Sequence, residues 1–259
     1  MLEYGLNKLY PDIFCFSTTR HGGFGKGAYT SFNCNEYCGD DEETVMRNRQ
    51  LLSGLLPGHP SLVAPHQVHQ TEVGVVDNAF FSFSADGRKK YLEGVDALVT
   101  DISQVCVCVS TADCVPVLCF DTHRKVVAAI HAGWRGTVNR IVEHVLKKMS
   151  DVYGTKGEDV VACIGPSISQ EAFEVGDEVY EQFLAGGFDM HRIAVRKEKW
   201  HIDLWEANRL QLEANGVPPT AIEIAGLCTW QHPDDFFSAR RLGIASGRML
   251  SGIMLQGKK

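Results

Sequence analysis

The stretch Val115–Ile130, VPVLCFDTHRKVVAAI, contains two apolar runs separated by a short polar segment. The runs Val115–Phe120 and Val126–Ile130 are rich in β-branched and other apolar residues, a pattern typical of buried strands. The segment Asp121–Arg124 is short enough for a turn between antiparallel strands. We therefore predict that the two runs pair in one sheet, with the start of the first strand beside the end of the second.

The rest of the chain predicts a mixed fold. Helical spacing of apolar residues is clearest in Val138–Val152. Two more helices are predicted at Asp177–Leu184 and Leu204–Asn215, the latter with Asp203 as N-cap and Gly216 as its stop. Because strands come in consecutive groups with helices interspersed, we predict an α+β fold, a single domain over residues 1–259 with mixed β-sheets flanked by helices. The other predicted strands are Ile13–Thr18, Val73–Asp77, Ala97–Thr100, Val105–Val109, Val160–Ile164 and Ile222–Leu227.

Composition restricts the class of protein. The chain has 259 residues, is 44% hydrophobic and carries a formal net charge of -7, which argues against nucleic acid and anionic membranes as partners. No apolar run approaches the ~20 residues that span a bilayer. The stretch MLEYGLNKLYPDIF lacks the parts of a signal peptide. We therefore predict that the nine cysteines, an odd number, are reduced thiols in a cytoplasmic protein.

Cys114 stands immediately before the first strand of the predicted pair, and His131 immediately after the second. Antiparallel pairing should bring these two side chains close together. A cysteine beside a histidine supports either a thiolate nucleophile with an imidazole base or a metal site. Four other cysteines lie inside apolar runs, and the remaining four lack Cys-x-x-Cys spacing, which argues against a structural zinc knuckle.

A third ligand would favour a metal site over a nucleophile. The stretch PHQVHQTEV places His66 and His69 just before a predicted strand. On an extended segment these side chains point to opposite faces, so at most one should reach a shared site. The residues alone leave open which of the two does so, or whether both lie on the surface.

The stretch His131–Thr137, HAGWRGT, joins a strand end to the start of a helix. A helix N-terminus offers free N–H groups and partial positive charge, which suit a phosphate or another anion. Arg135 would add a bidentate donor there; the alternative is a solvated Arg135 beside a core Trp134. The glycine-rich segment Gly22–Gly27 has neither dinucleotide-binding nor P-loop spacing, although the preceding Arg20 could point an anion-binding group into a cleft.

Seven motifs together resemble the YfiH/laccase-domain family (FAMIN-like proteins): HQVHQTEV, DALVTD, STADCVPVLCFD, HAGWRGT, IGPSI, DLWEANRLQL and CTWQHPDDFFSARR. The resemblance extends from Thr19 to Arg248, and its ADC and HAGWRG motifs are highly specific. It implies a zinc ion (Zn2+) bound by His69, Cys114 and His131, in a YfiH-like sandwich of mixed sheets and helices. Two imidazoles and a thiolate would leave the fourth position of a tetrahedral zinc open, as in catalytic sites.

The same resemblance implies purine nucleoside phosphorylase activity on adenosine, inosine and related nucleosides, including methylthioadenosine. Phosphate would be the second substrate, and adenosine deamination a second activity. The zinc ligands would be the catalytic residues, and Arg240 would approach the cleft, joining Arg135 and Arg20 as candidates to bind substrate or phosphate. Asp113 could orient a ligand or protonate the leaving base, or it could simply form a turn.

The sequence argues against copper chemistry and leaves two alternatives to a nucleoside phosphorylase. Multicopper oxidases need paired His-x-His motifs, and none occurs among the ten histidines, which argues against the copper chemistry that the family's older name, polyphenol oxidase, suggests. A hydrolase that edits peptidoglycan precursors is one alternative. A non-catalytic zinc-binding protein is another, and a zinc with four protein ligands would favour it.

Overall fold

The computed structural model describes residues 1–257 as a succession of short strands and helices. The strands are β1 (Leu2–Glu3), β2 (Ile13–Ser17), β3 (Ser61–Val63), β4 (Val73–Val75), β5 (Ala97–Thr100), β6 (Val105–Thr111), β7 (Val115–Asp121), β8 (Val126–Ala132), β9 (Val160–Ile164), β10 (Glu174–Val175), β11 (Ala194–Arg196), β12 (Trp200–Ile202), β13 (Ile222–Ile224) and β14 (Met249–Leu255). The helices are α1 (Leu6–Leu9), α2 (Glu42–Leu55), α3 (Asn78–Ser82), α4 (Ala85–Tyr91), α5 (Trp134–Val138), α6 (Ile141–Tyr153), α7 (Asp177–Ala185), α8 (Met190–Ile193), α9 (Leu204–Ala214) and α10 (Ala239–Leu242). Within residues 1–257, no helix is both long and apolar enough to cross a membrane.

The hairpin β7–β8 lies in the middle of a six-stranded sheet of order β13-β9-β7-β8-β5-β4. Its strands are antiparallel, with Val115 opposite Ala132. The Asp121 carboxylate accepts the backbone N–H groups of His123 and Arg124, each at 2.8 Å, and this closes the turn. The antiparallel pairing predicted from the sequence is confirmed.

Alternate side chains of this hairpin enter two different cores. On one face, Val117 and Ile130 pack with α6, α7 and α9. On the other face, Leu118 and Val127 pack against a five-stranded sheet of order β1-β2-β14-β6-β3. Helix α2 covers the outer face of that second sheet. The result is four layers, α/β/β/α, with a third sheet of order β10-β12-β11; the predicted α+β fold is confirmed.

The helix predicted at Val138–Val152 is divided between α5 and α6. Between them Arg140 has a left-handed backbone, with φ of 62°. Its guanidinium donates to the carbonyl oxygen of Gly186 at 2.6 Å and lies 3.7 Å from the centre of the Phe188 ring. These long-range contacts hold a bend that the spacing of apolar residues does not reveal.

The other predicted elements are found with small changes at their ends. The strand predicted at Val105–Val109 continues to Thr111 as β6. Asp203 caps α9 by accepting the N–H of Glu206 at 3.0 Å, as predicted, and Gly216 follows the helix with φ of 88°. The longer β6 matters because its last residues lie beside the site described below.

Helix α2 is the longest element that the sequence analysis did not predict. It buries only Val45, Asn48 and Leu52, so its apolar spacing is weak. Its start is set by Asp41, whose carboxylate accepts the N–H of Thr44 at 2.8 Å. A capped but mainly polar helix gives a much fainter pattern than the apolar stripe of α6.

Candidate metal centre and cavity

The two large sheets bring several strand ends together at one edge of the sandwich. In the six-stranded sheet, Cys114 precedes β7, and His131 lies at the end of β8. Thr111 ends β6 in the five-stranded sheet, opposite Met249 at the start of β14. One cavity of about 440 Å³ is bordered by Cys114, His131 and Thr111, but not by Met249. The cavity therefore opens where the two sheets meet.

His69, Cys114 and His131 form a compact cluster at this cavity. Their ligand atoms all lie within 4.8 Å of one another. The rings of the two histidines meet edge to face, with centroids 4.8 Å apart and an interplanar angle of 77°. The structure thus brings together the cysteine and histidine expected to be neighbours, and it adds His69 as the third member.

Strand geometry explains why these side chains converge. In the β7–β8 ladder, His131 lies opposite Pro116, the residue that follows Val115. Its side chain follows the alternation of β8 and falls on the same face as Val127, which meets the second sheet. Cys114 follows Asp113, whose backbone has φ of 88°, so the chain turns sharply just before β7.

Asp96 is the residue that organises the cluster, and the sequence analysis assigned it no role. Its carboxylate is fully buried and accepts three successive backbone N–H groups of the His69 loop, from Val68 at 3.2 Å, His69 at 2.9 Å and Gln70 at 2.8 Å. It also lies 2.7 Å from Nδ1 of His131. One carboxylate therefore joins two members of the cluster. The signal in the sequence that could have indicated Asp96 is its position directly before the apolar strand ALVT, in the motif DALVTD, which served only to support the family resemblance.

The contact with Asp96 decides how His131 can act. An Nδ1–H that donates to the carboxylate leaves Nε2 as the free ligand atom of the ring. Although burial of the carboxyl group opposes this, hydrogen bonds from His131 and from the loop amides lower the pKa of Asp96. Asp96 is thus a carboxylate at neutral pH and fixes the orientation of the ring, with Nδ1 toward the carboxylate.

The surroundings also favour the charged forms of Cys114 and His131. Burial would raise the pKa of Cys114, but the two neighbouring histidines outweigh it and lower the pKa to about 6. Burial likewise opposes protonation of His131, but Cys114 and Asp96 raise its pKa to about 9. The thiolate, the form that binds metals and attacks electrophiles, is therefore favoured at neutral pH.

The cavity is lined by both polar and apolar side chains. Besides the cluster and Thr111, it is bordered by Asn35, Tyr37, Cys38, His66, Gln67, Ser110, Ala112, Ala239, Ile244, Ala245 and Arg248. Its volume of about 440 Å³ lies within the ~300–1,000 Å³ typical of small-molecule sites. The cavity is large enough for a ligand beside the cluster.

His66 borders the cavity but belongs to a different set of contacts. Its Nδ1 lies 2.7 Å from the carboxylate of Glu93, and its ring stacks on Tyr37 with centroids 4.1 Å apart. Gln67 donates to the carbonyl of Ser110 at 2.9 Å and accepts its N–H at 2.7 Å, which ties the loop to the end of β6. The structure therefore separates the roles of the two histidines that the sequence left undecided.

The three arginines predicted to contact an anion do not border the cavity. Arg135 is exposed and stacks on Trp134, with 4.3 Å from its guanidinium carbon to the ring centre. Arg20 donates to the carbonyl oxygens of Thr30 at 2.9 Å and Pro233 at 2.7 Å. Arg135, Arg20 and Arg240 therefore stay predicted alternatives to a positive group on the cavity wall itself.

Arg240 is engaged in contacts within the fold, and the helix after Gly133 is shorter than expected. Both terminal nitrogens of Arg240 lie 3.1 Å from the carbonyl oxygen of Glu174, and its backbone N–H binds the Asp113 carboxylate at 2.7 Å. Helix α5 has five residues, fewer than the long helix expected there. The arginine that does border the cavity is Arg248, which the sequence analysis did not select.

Asp113 has the structural role that the sequence analysis held as its alternative. Its carboxylate accepts the hydroxyl of Thr229 at 2.7 Å as well as the N–H of Arg240, and its carbonyl accepts the N–H of Ile168 at 2.9 Å. These three bonds hold the sharp turn before Cys114 against two other segments. Asp113 thereby positions the cysteine from outside the cluster.

Gly133 lies directly against the cluster. A Cβ atom at this position would stand 3.1 Å from Sγ of Cys114 and 3.2 Å from Cδ2 of His69. Both distances are shorter than ordinary van der Waals contact between such atoms. The cluster therefore has no space for a side chain at this position unless its ligands move.

We predict that Gly133→Ala weakens metal binding by roughly tenfold, because the added methyl displaces two ligand side chains by a few tenths of an ångström. Zinc competition with a coloured chelator would measure the change. Gly54→Ala, on the exposed side of α2 with nothing near the added methyl, is the control and should leave metal binding unchanged. Equal zinc affinity in all three proteins would contradict the crowding of the cluster.

The chain matches a known protein family over most of its length. A family model described as multi-copper polyphenol oxidoreductase laccase matches residues 14–256. A purine nucleoside phosphorylase of Bacteroides thetaiotaomicron is 55% identical, over 98% of this chain and 96% of that protein. Adenosine deaminase RL5, from an unknown prokaryotic organism, is 44% identical over 95% of each chain.

A solved structure agrees with these sequence matches. The crystal structure of the hypothetical protein YfiH from Bacillus licheniformis superposes with a TM-score of 0.88 at 29% identity, covering 95% of this chain and 94% of that one. The resemblance seen in the motifs is therefore confirmed over nearly the whole length. The chain belongs to the YfiH family, whose family model carries the polyphenol oxidoreductase description.

Proposed function

We propose that this protein is a zinc-dependent purine nucleoside phosphorylase. It would cleave adenosine, inosine and related nucleosides such as methylthioadenosine with phosphate, and deaminate adenosine as a second activity. The observation that carries the proposal is the His69–Cys114–His131 cluster at a nucleoside-sized cavity, in a chain 55% identical to a protein named purine nucleoside phosphorylase.

The donor set fits zinc. Two imidazole nitrogens and a thiolate are common zinc ligands, and three protein ligands leave one position of a tetrahedral ion for water or substrate. Copper oxidation is a poor match, because the paired His-x-His motifs that multicopper sites use are missing from the sequence. Zinc bound here would supply a Lewis acid and lower the pKa of a coordinated water to about 7.

The protein's own residues would prepare the centre for this chemistry. Asp96 holds the His131 ring with Nε2 toward the other two ligands, and Asp113 holds the turn that presents Cys114. Gly133 keeps the space beside the ligands free of a side chain. Ala239, Ile244 and Ala245 would offer a bound purine apolar contacts at the border of the cavity.

Phosphorolysis needs a positive group that holds the attacking phosphate. Arg248 is half-buried at the cavity wall, where its two terminal nitrogens donate to the carbonyl oxygens of Ile244, Ser246 and Gly247. These bonds fix the guanidinium in place and leave part of its donor capacity, including the Nε–H, for an anion. We therefore place phosphate beside Arg248, in preference to the exposed Arg135.

The activity itself is tested with zinc-loaded protein incubated with inosine or adenosine, with and without phosphate. We expect inosine to give hypoxanthine and ribose 1-phosphate only when phosphate is present, and adenosine to give inosine without it. Cys114→Ala should lose its zinc and lower both activities by at least about a hundredfold, because a metal ligand matters more than its supporting contacts. Metal analysis and product separation measure these outcomes.

Cys38→Ala is the matched control, since Cys38 borders the same cavity but is not part of the cluster. It should keep about one zinc per chain. Full zinc content in Cys114→Ala would sink the proposed site. Cleavage of a muropeptide by a protein that leaves nucleosides unchanged would favour the alternative, peptidoglycan-editing function.

The anion site is tested by comparing two arginines. Arg248→Gln should raise the KM for phosphate about ten- to a hundredfold, as expected for one lost charge-assisted contact, with far less effect on adenosine deamination. Arg135→Ala should leave both reactions near wild type, because Arg135 lies outside the cavity. The opposite result, a selective loss of phosphorolysis in Arg135→Ala alone, would place the phosphate at the start of α5.

A further inference from the structure

We propose that Thr111 is a substrate-binding residue, whose side-chain hydroxyl hydrogen-bonds a polar group of the nucleoside. This inference rests on the proposed function, since it assigns a residue to the same cavity. It is carried by a buried hydroxyl that has no hydrogen-bond partner among residues 1–257 and by its position at the cavity wall.

Thr111 is only 1% exposed, yet its Oγ1 has no hydrogen-bond partner among residues 1–257. Buried polar groups in folded proteins are nearly always paired, because an unpaired one loses its bonds to water without replacement. Each exception therefore calls for a reason. Thr111 borders the cavity that also holds Cys114 and His131, and this position supplies one.

The backbone of Thr111 cannot move away from the cavity. Thr111 is the last residue of β6 and lies opposite Met249 in the β6–β14 ladder. The residue before it, Ser110, is held by both polar atoms of the Gln67 amide. With the main chain fixed on both sides, the side chain can adapt only by rotation about its Cα–Cβ bond.

Two neighbours of Thr111 are apolar residues. Its neighbours Ala112 and Met249 belong to an apolar cluster with Phe236 and Phe237. Rotation about Cα–Cβ exchanges the positions of the hydroxyl and the methyl group, so in the proposed complex the oxygen turns toward the cavity that Thr111 borders. A hydroxyl both donates and accepts, so it matches a ribose hydroxyl or a polar edge of the purine base.

A merely structural threonine would behave differently from a binding residue when valine replaces it. Valine has the same shape, and it removes the unpaired oxygen, so Thr111→Val should raise the thermal unfolding midpoint. The same change should weaken inosine binding about three- to tenfold through the lost hydrogen bond. Greater stability with weaker binding is the signature of a group kept for a ligand.

Thr155 provides a matched control in the same chain. Its Oγ1 is also buried and unpaired within residues 1–257, but it follows α6 and does not border the metal cavity. Thr155→Val should therefore raise the unfolding midpoint without changing inosine binding. Thr111→Ser, which keeps the hydroxyl, should bind inosine close to wild type.

The experiment measures inosine binding to the zinc-loaded proteins by calorimetry without phosphate, together with zinc content and unfolding midpoints. Weaker binding in Thr111→Val alone, at unchanged zinc content, is expected. Inosine and 2′-deoxyinosine are then compared: if the 2′-hydroxyl is the partner, valine costs nothing with the deoxynucleoside, and an equal loss with both assigns the bond elsewhere on the nucleoside.

Three results would overturn the inference. Equal binding in wild type and Thr111→Val would remove the hydroxyl from the site while leaving the proposed function intact. A lower unfolding midpoint in Thr111→Val would mean that the hydroxyl already has a structural partner. No inosine binding by the zinc-loaded wild type would overturn the proposed function, and the role of Thr111 with it.

Discussion

The buried carboxylate of Asp96 is the constraint on which the site depends. It accepts three backbone N–H groups from the His69 loop and faces Nδ1 of His131, so one side chain fixes two of the three cluster members. Hydrogen bonds to a charged acceptor are roughly twice as strong as those between neutral groups. Without this carboxylate, three loop amides and a buried imidazole would lose their common partner.

The sandwich supplies the setting in which that carboxylate can work. Asp96 directly precedes β5, the neighbour of β8, and the backbone N–H of His131 also binds the Asp96 carbonyl at 2.9 Å. Charge at the cluster is balanced locally, because the thiolate favoured at Cys114 has two imidazoles beside it. Two sheets, one turn and one buried acid therefore bring the three side chains of the candidate metal site together at the end of the strands.

The sequence predicted the parts of this arrangement that depend on local pattern. The two apolar runs of β7 and β8, with a short turn, placed Cys114 beside His131 because antiparallel register follows from the hairpin. Family motifs added His69, which the residues alone could not separate from His66. The reason is physical. Side chains alternate between two faces only along extended backbone, and His69 has φ of 63°, so its loop is not extended.

Features that depend on contacts between residues far apart in the chain could not be predicted from local sequence patterns. The bend at Arg140 is held by Gly186 and Phe188, and the charge at the cavity wall comes from Arg248 near the far end of the chain. Asp96 gave only the signal of one acidic residue before a strand, which is also the signal of an ordinary turn. Long connecting segments bring these groups together in the fold, so their spacing in the sequence does not indicate that they are close in space.

The most direct test of the organising role of Asp96 is the zinc affinity of Asp96→Asn, measured by chelator competition at neutral pH. Asparagine keeps the size of the side chain and one acceptor but removes the charge that binds the loop and the His131 ring. We expect zinc affinity to fall about ten- to a hundredfold, with the two proposed nucleoside activities falling in step and returning when excess zinc is added. Wild-type zinc affinity in Asp96→Asn would contradict the central role of this carboxylate.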